Sequence, residues 1–347
     1  MIGLGYIGLP TAAVLATCGL QVTGVDVNPK VIAAVSAGKV HIVEPGLERL
    51  VEAAVADGRL EAANRPCPAD AFLITVPTPV RHDDRQPDMR YVDAAAAAIA
   101  HVLRPGNLVV LESTSPVGTT RRMARLMAEL RPDLRFPGDD GADGDVDFAY
   151  SPERVIPGRT LIELRDNSRV VGGMTPRAGA RAAALYGTFV RNDRLVTDDR
   201  TAEMVKLIEN AFRDVNIAFA NELSMICDDL GLDVWRVIAL ANRHPRVSIL
   251  KPGAGVGGHC IAVDPWFVVA SAPERARLIR TARHVNDSKP DFIVDRVTEA
   301  LDGKPMARVA CLGLAFKADV DDFRESPALH IARLLTAAYP GRVMCAD

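Results

Sequence analysis

The chain of 347 residues has no excess of positive charge: 41 lysines and arginines face 44 aspartates and glutamates, a net charge of −3. No basic field therefore points to nucleic acid or an anionic membrane as a partner. No apolar run reaches the roughly 18 residues of a membrane span. No basic segment leads into an apolar one at the start, so neither a transmembrane helix nor a signal peptide is expected. The six cysteines, Cys18, Cys67, Cys227, Cys260, Cys311 and Cys345, are scattered and form no CxxC pair. That spacing argues against a zinc site or a disulfide framework, so no metal is expected. A reduced cytoplasmic protein is the economical reading.

What is present is an α/β pattern long enough for two or three domains. Residues 1–198 alternate short apolar runs with helical patterns, the rhythm of a parallel βαβ sheet. Strands are predicted at Val22–Val25, Ala71–Val76, Leu108–Glu112, Asp147–Tyr150 and Arg169–Val171. Residues 199–302 read as a helical segment. Its longest pattern runs from Thr201 to Leu230, ends at Gly231, and suits either a domain link or a dimer seam. A helix at Val234–Ala241 follows, then a loop over Asn242–His259 rich in Gly, Pro, Arg and His, then helices from Pro265 and from about Pro273 to Leu301. Residues 303–347 restart strand, helix and strand, as a second α/β domain would begin. Both ends look cut. Only Met1 and Ile2 precede Gly3, where a dinucleotide fold needs a strand, and the chain stops as another strand is completed at Cys345.

Gly3-Leu4-Gly5-Tyr6-Ile7-Gly8 fits GxGxxG. The first glycine permits a tight turn, the second lets backbone approach a pyrophosphate, and the third allows close helix packing. A helix N-terminus then faces the phosphates. Asp26 ends the next predicted strand, where an acid binds a ribose 2′-OH and repels a 2′-phosphate, favouring NAD over NADP. Three strand ends carry hydroxyls beside prolines: Thr75 to Pro79 (with Thr78), Glu112 to Pro116 (with Thr114), and Tyr150 to Arg154. Such ends line the ligand crevice of an open sheet, although Ser and Thr there also serve as helix caps.

In the long helix, Glu203, Lys206, Asn210 and Arg213 share one face. A lysine and an asparagine on a partly buried face suit a developing oxyanion; a solvated stripe is the alternative. Cys260 follows Gly257-Gly258-His259 and precedes a helix start at Asp264-Pro265. It reads either as an accessible thiol nucleophile or as a small buried hydrophobe. Asp264 reads as an N-cap with Pro265 at the first helical position, or as a residue that positions water. Arg243-His244-Pro245-Arg246 concentrates cation ahead of the thiol, suited to phosphate or carboxylate, or simply to solvent.

Taken in order from Met1 to Asp347, these motifs resemble the UDP-glucose/GDP-mannose dehydrogenase family. The telling segments are His41 to Pro45, Ser151-Pro152-Glu153-Arg154-Val155, Asn242 to Val247, and Val256 to Phe267. His259 and Ala262-Val263 point to the N-acetylhexosamine branch. The resemblance implies a Rossmann-like NAD-binding domain at 1–198, a central helical dimerisation segment at 199–302 and the truncated start of a Rossmann-like UDP-binding domain from 303 to 347. It implies a nucleotide-sugar substrate, NAD as cofactor, a homodimer and two hydride transfers from sugar C6, passing through a thiohemiacetal and a thioester on Cys260. Lys206 and Asn210 would hold the oxyanion and bind substrate, with Glu153 and Asp264 assisting proton transfer or water. Arg154, Val155, Arg213, His244, Arg246, Gly257 and Lys317 would contact the sugar nucleotide. Gly3, Gly5, Tyr6, Ile7, Gly8, Asp26, Thr78, Thr114, Thr119 and Arg324 would hold NAD. Other readings stay open: a 6-dehydrogenase of UDP-N-acetylglucosamine or UDP-glucose within the same family, a two-electron hydroxyacid dehydrogenase, which needs no cysteine, and a truncated NAD-binding module without catalysis.

Overall fold

The computed structural model describes residues 1–81, 83–138, 141–258, 260–315 and 323–347. The chain divides into two compact units, Met1–Lys206 and Leu207–Asp347. The first contains α1 (Gly8–Thr17), β1 (Val22–Val25), α2 (Pro29–Ser36), α3 (Leu47–Ala56), β2 (Leu60–Ala63), β3 (Ala71–Ile74), α4 (Arg90–Ala100), β4 (Leu108–Leu111), α5 (Thr119–Leu130), β5 (Asp147–Tyr150), α6 (Thr160–Asp166), β6 (Arg169–Gly173), α7 (Pro176–Tyr186) and β7 (Arg194–Asp198). The division between units falls inside helix α8 (Asp199–Asp229).

Met1–Gly3 takes the place of the first strand. Ile2 pairs in parallel with Val25 on one side and Ile74 on the other, through Ile2 N–H to Leu73 O at 2.8 Å, Thr75 N–H to Ile2 O at 2.8 Å and Gly3 N–H to Val25 O at 2.8 Å. The sheet order is therefore β2-β1-Ile2-β3-β4-β5-β6-β7, parallel as far as β5, with β6 antiparallel to β5 and β7 parallel to β6. From β2 to β5 this is the dinucleotide-binding order, and its reversal lies between Ile2 and β3. Both faces are covered. Leu108 and Val110 of β4 join one apolar cluster with Leu4, Leu9 and Val14 of the α1 side, while Val109 and Leu111 join the other with Phe148 and Ile99. The alternation follows from the two-residue period of a strand.

Two strands are not legible locally. β2 is Leu-Glu-Ala-Ala, a composition that favours helix in isolation; its pairing with β1 overrides that preference. β7 is a mostly exposed edge with no alternation to read. Asn28 caps α2 as the sequence indicates, its Oδ1 accepting from Lys30 N–H at 3.0 Å.

The second unit contains α9 (Val234–Ala241), α10 (Asp264–Ser271), α11 (Arg277–Leu301), β8 (Val309–Leu312), α12 (Pro327–Ala338) and β9 (Val343–Ala346), with β8 and β9 paired in parallel. Asp264 is not the N-cap of α10. Val263 holds that position without a side-chain cap, and Asp264 is the first helical residue. The reason is a preceding turn: Cys260 O accepts from Val263 N–H at 3.0 Å and from Asp264 N–H at 2.8 Å. The helix start is thus organised by backbone, and the Asp264 carboxylate is left for another partner.

Candidate active site

At the sheet reversal the three glycines occupy three different environments. Gly3 has φ +94°, and a Cβ there would lie 2.9 Å from Thr75 O. Gly8 is closer still, its Cβ position falling 1.9 Å from Gly3 O. Around Gly5 nothing lies within 4 Å of a Cβ, and no side chain caps α1. Turn, open approach and close packing are what a pyrophosphate-binding loop requires, and the residues present fit NAD. Thr75 Oγ1 donates to Ile2 O and Gly3 O, at 3.0 and 2.9 Å, fixing the turn. Asp26 accepts from Leu4 N–H at 3.0 Å and from Asn28 N–H at 2.8 Å, so its carboxylate is aimed along the loop that the ribose would meet. Tyr6 is half exposed beside it.

The strand-end hydroxyls cap no helix. Ser113 donates to Val76 O at 2.7 Å, Ser151 to Val170 O at 3.0 Å, and Thr119 to Pro116 O at 2.6 Å. Thr119 is thereby committed and buried. Thr78 and Thr114 are half-buried, and among the described residues their hydroxyls have no hydrogen-bond partner. Their hydroxyls can still donate as well as accept.

Glu153 follows β5, its carboxylate accepting from Arg154 N–H at 2.5 Å and lying 3.5 Å from the Arg169 guanidinium. Behind it sits a cluster that motif reading overlooks. Arg169 is buried, bonds Glu112 at 2.7 Å, donates to Ser151 Oγ at 2.8 Å and lies 4.0 Å over the Tyr186 ring. Tyr186 O–H donates to the same Glu112 oxygen at 2.5 Å. Burial pushes the Glu112 carboxyl up, against the pull of Arg169. The one signal for this cluster is a lone acid at the end of an apolar strand.

Helix α8 does not present one solvated stripe. Glu203 is fully buried and crosses to the start of α5, accepting from Gly118 N–H at 2.5 Å and from Thr120 N–H at 2.8 Å and Oγ1–H at 2.7 Å. Lys206, one turn on, is half-buried. Burial raises the Glu203 carboxyl from 4.5 to about 7, outweighing its hydrogen bonds, with Asp199 adding to the rise. A carboxyl raised in the folded state stabilises below its unfolded pKa and loses that contribution as pH rises. Stability should therefore fall by about 3 kcal/mol between pH 4.5 and 7 from this group alone. Glu203→Gln should flatten that slope in melts at pH 5, 6 and 7; an unchanged slope would remove Glu203 as its source.

In the second unit Cys260 is half-buried at the turn into α10. The Asn210 amide donates to Asp264 Oδ2 at 2.5 Å, with both residues buried. Gly258 N–H donates to Arg324 O at 3.1 Å, which ties the glycine run to a second predicted site residue through the main chain. Arg213, His244 and Arg246 are exposed, as is Arg154 in the first unit; Val155 and Gly257 are half-buried. Asn242 closes the basic loop by bonding Ile249 through both amide atoms. Lys317 and His259 lie outside the described residues.

Comparison with known families decides the class. In chain order, residues 1–190 match the NAD binding domain of the UDP-glucose/GDP-mannose dehydrogenase family, residues 200–288 its central domain and residues 310–346 its UDP binding domain. The chain belongs to the UDP-glucose/GDP-mannose dehydrogenase family. It is an NAD-dependent nucleotide-sugar dehydrogenase by that membership. Within the family it is 57% identical to an NDP-N-acetyl-D-galactosaminuronic acid dehydrogenase of Ralstonia nicotianae (strain ATCC BAA-1114 / GMI1000), over the whole of this chain and 82% of that one. It is 56% identical to the UDP-N-acetyl-D-mannosamine dehydrogenase of Escherichia coli (strain K12), over the whole of this chain and 84% of the other. Its fold superposes on that of the UDP-D-ManNAc dehydrogenase of Pyrococcus horikoshii with a TM-score of 0.91 at 42% identity, covering 99% of this chain and 82% of that one. Among the described residues no helix is long and apolar enough to cross a membrane.

Proposed function

We propose that this dehydrogenase oxidises the C6 alcohol of UDP-N-acetyl-D-mannosamine to the carboxylate in two steps, with Cys260 as the covalent nucleophile. The observation that carries the reading is the half-buried Cys260 at a turn whose next polar residue, Asp264, holds the Asn210 amide at 2.5 Å. Bound NAD, held by the Gly3–Gly8 turn, Asp26, Thr78 and Thr114, supplies the hydride acceptor for each oxidation. The chain's own residues manage protons and geometry. Lys206 takes the hydroxyl proton as C6 loses its first hydride and becomes an aldehyde. The Cys260 sulfur bonds to C6, and its proton passes to the carbonyl oxygen, giving a thiohemiacetal. Loss of that proton and of a second hydride leaves a thioester. Water then adds at C6, the C–S bond breaks, the thiol recovers its proton and the uronate leaves. Asp264 spends one Asn210 N–H and so orients the other, which with Lys206 is suited to the developing oxyanion. Such a donor is worth on the order of 10²–10³ in rate. Glu153, which lies 3.5 Å from Arg169, would relay protons or water in this reading.

With sugar limiting, about two NADH should form per UDP-N-acetylmannosamine; one NADH would end the thioester reading. The relative named for N-acetyl-galactosaminuronic acid favours a second substrate, the galacto isomer, which differs at C2 and C4. A higher kcat/KM for UDP-N-acetylgalactosamine would move the assignment to it. The same reading assigns 1–198 to NAD, 199–302 to the central domain and 303–347 to UDP, and places the enzyme in the cytoplasm. It also assigns a homodimer. Ile208, Phe212, Phe219 and Ile226 of α8 are exposed at spacings of four and seven, one apolar stripe along the helix. Sedimentation should give twice the chain mass, and Phe212→Glu with Phe219→Glu should halve it; a monomeric wild type would refute the dimer.

A further inference from the structure

The second unit contains a buried polar chain that the reaction as described does not use. Asp214 and Asn221 of α8 and Arg283 and Asn286 of α11 are all at most 2% exposed. Arg283 donates to Asp214 Oδ1 at 2.6 Å, and its other terminal nitrogen bonds Asp287. The Asn286 amide donates to Asp214 O at 3.1 Å and to Oδ1 at 2.8 Å. The Asn221 amide donates to Asn286 Oδ1 at 2.9 Å, and Asn221 Oδ1 accepts from Gly253 N–H at 2.8 Å. The polarity of this chain is dictated by its first member. The Asp214 carbonyl can only accept, so Asn286 must present its NH₂ to Asp214 and its oxygen to Asn221. Asn221 must then present its NH₂ to Asn286 and its oxygen to Gly253. No amide can flip without setting two donors or two acceptors against each other.

The far end of this chain is the loop that carries Cys260. Asn286 also meets that loop with its backbone. Pro290 lies inside α11 and has no N–H to offer the carbonyl four residues earlier, which is that of Asn286. Gly255, at φ +134°, passes so close to this carbonyl that a Cβ would sit 3.2 Å from it and 3.1 Å from Pro327 Cβ. The loop is thus set at Gly253 by a directed hydrogen bond, at Gly255 by close approach, and at Gly258 by Arg324 O.

We propose that Asn221 and Asn286 are positioning residues that hold the Gly253–Gly258 loop so that the Cys260 thiol meets the aldehyde. This rests on the reading of Cys260 as nucleophile. Its consequence is specific to the second oxidation, because the first needs no sulfur. An enzyme with a misplaced loop should still form aldehyde but release it before the thiohemiacetal forms.

The test is Asn221→Leu, which keeps the volume and removes both polar atoms. NADH per limiting sugar should fall from about two towards one, with aldehyde trapped by a hydrazine reagent, and the rate of Cys260 alkylation by iodoacetamide should change at least fivefold. Loss of folded protein lowers the rate but leaves this ratio at two, so the ratio separates positioning from stability. Should Asn221→Leu not fold, Gly253→Pro, on the exposed loop, removes the terminal N–H of the chain while also fixing the local φ, and should give the same ratio. Wild type at two with a folded variant also at two, and alkylated normally, overturns the positioning role alone. Wild type at one overturns the thiol reading beneath it.

Discussion

Cys260→Ala should form no uronate and at most one NADH per sugar. On the proposed mechanism the thiol converts an aldehyde, which has no leaving proton on oxygen, into a thiohemiacetal from which a second hydride departs. Without it, the second oxidation would have to proceed through the aldehyde hydrate. Removing a nucleophile that acts as a unit with its partners costs roughly 10³-fold or more in the overall rate. The cofactor loop, from Gly3 to Gly8 with Asp26, belongs to the other unit. NAD affinity, measured by titration calorimetry, should therefore stay within twofold of wild type. Product analysis decides the matter: uronate formed at the wild-type rate by Cys260→Ala would remove the covalent mechanism altogether.

Arg169→Met should cost the NAD-binding unit about 3–5 kcal/mol, the usual effect of removing one partner from a buried ion pair. For a unit of this size that is a fall in melting temperature of roughly 10 °C. Arg169 and Glu112 are 6% and 0% exposed as side chains, and among the described residues no other cation hydrogen-bonds Glu112. The carboxyl is already pushed up by burial and held back by Arg169; without the guanidinium it rises further. A carboxyl raised in the folded state is tolerated at low pH, where it carries its proton, and penalised as pH climbs. The deficit of Arg169→Met should therefore be smaller at pH 5.5 than at pH 8, and Glu112→Gln in the same chain should recover much of it at pH 8. A pH-independent deficit would show that lost packing over Tyr186, not the stranded charge, is responsible. Because Arg169 also lies 3.5 Å from Glu153, kcat should fall even where the variant is folded.

The two arginine-centred clusters mark where reading the chain stops being sufficient. Glu112 stands in a strand-end motif and Arg169 opens a predicted strand, but they are 57 positions apart and meet only because β4, β5 and β6 lie side by side. Asp214 and Asn286, 72 apart, meet only where α11 packs against α8. Asp264 was open between cap and site residue on local grounds; the backbone turn from Cys260 removed the cap, and Asn210, 54 residues away, took the carboxylate.

By itself the sequence determined what depends on neighbours along the chain. Glycines at 3, 5 and 8 permit one turn geometry, Asn28-Pro29 starts a helix, the apolar runs of β4 and β5 demand a two-sided sheet, and a cysteine between glycines and a helix start is set apart from the other five. Only the tertiary structure decided which polar groups are buried together, since burial raises the cost of every unpaired donor or charge and so selects partners from distant segments. That selection turned Glu203 from a surface acid into the cap of α5, and two unremarked asparagines into the support of the thiol loop.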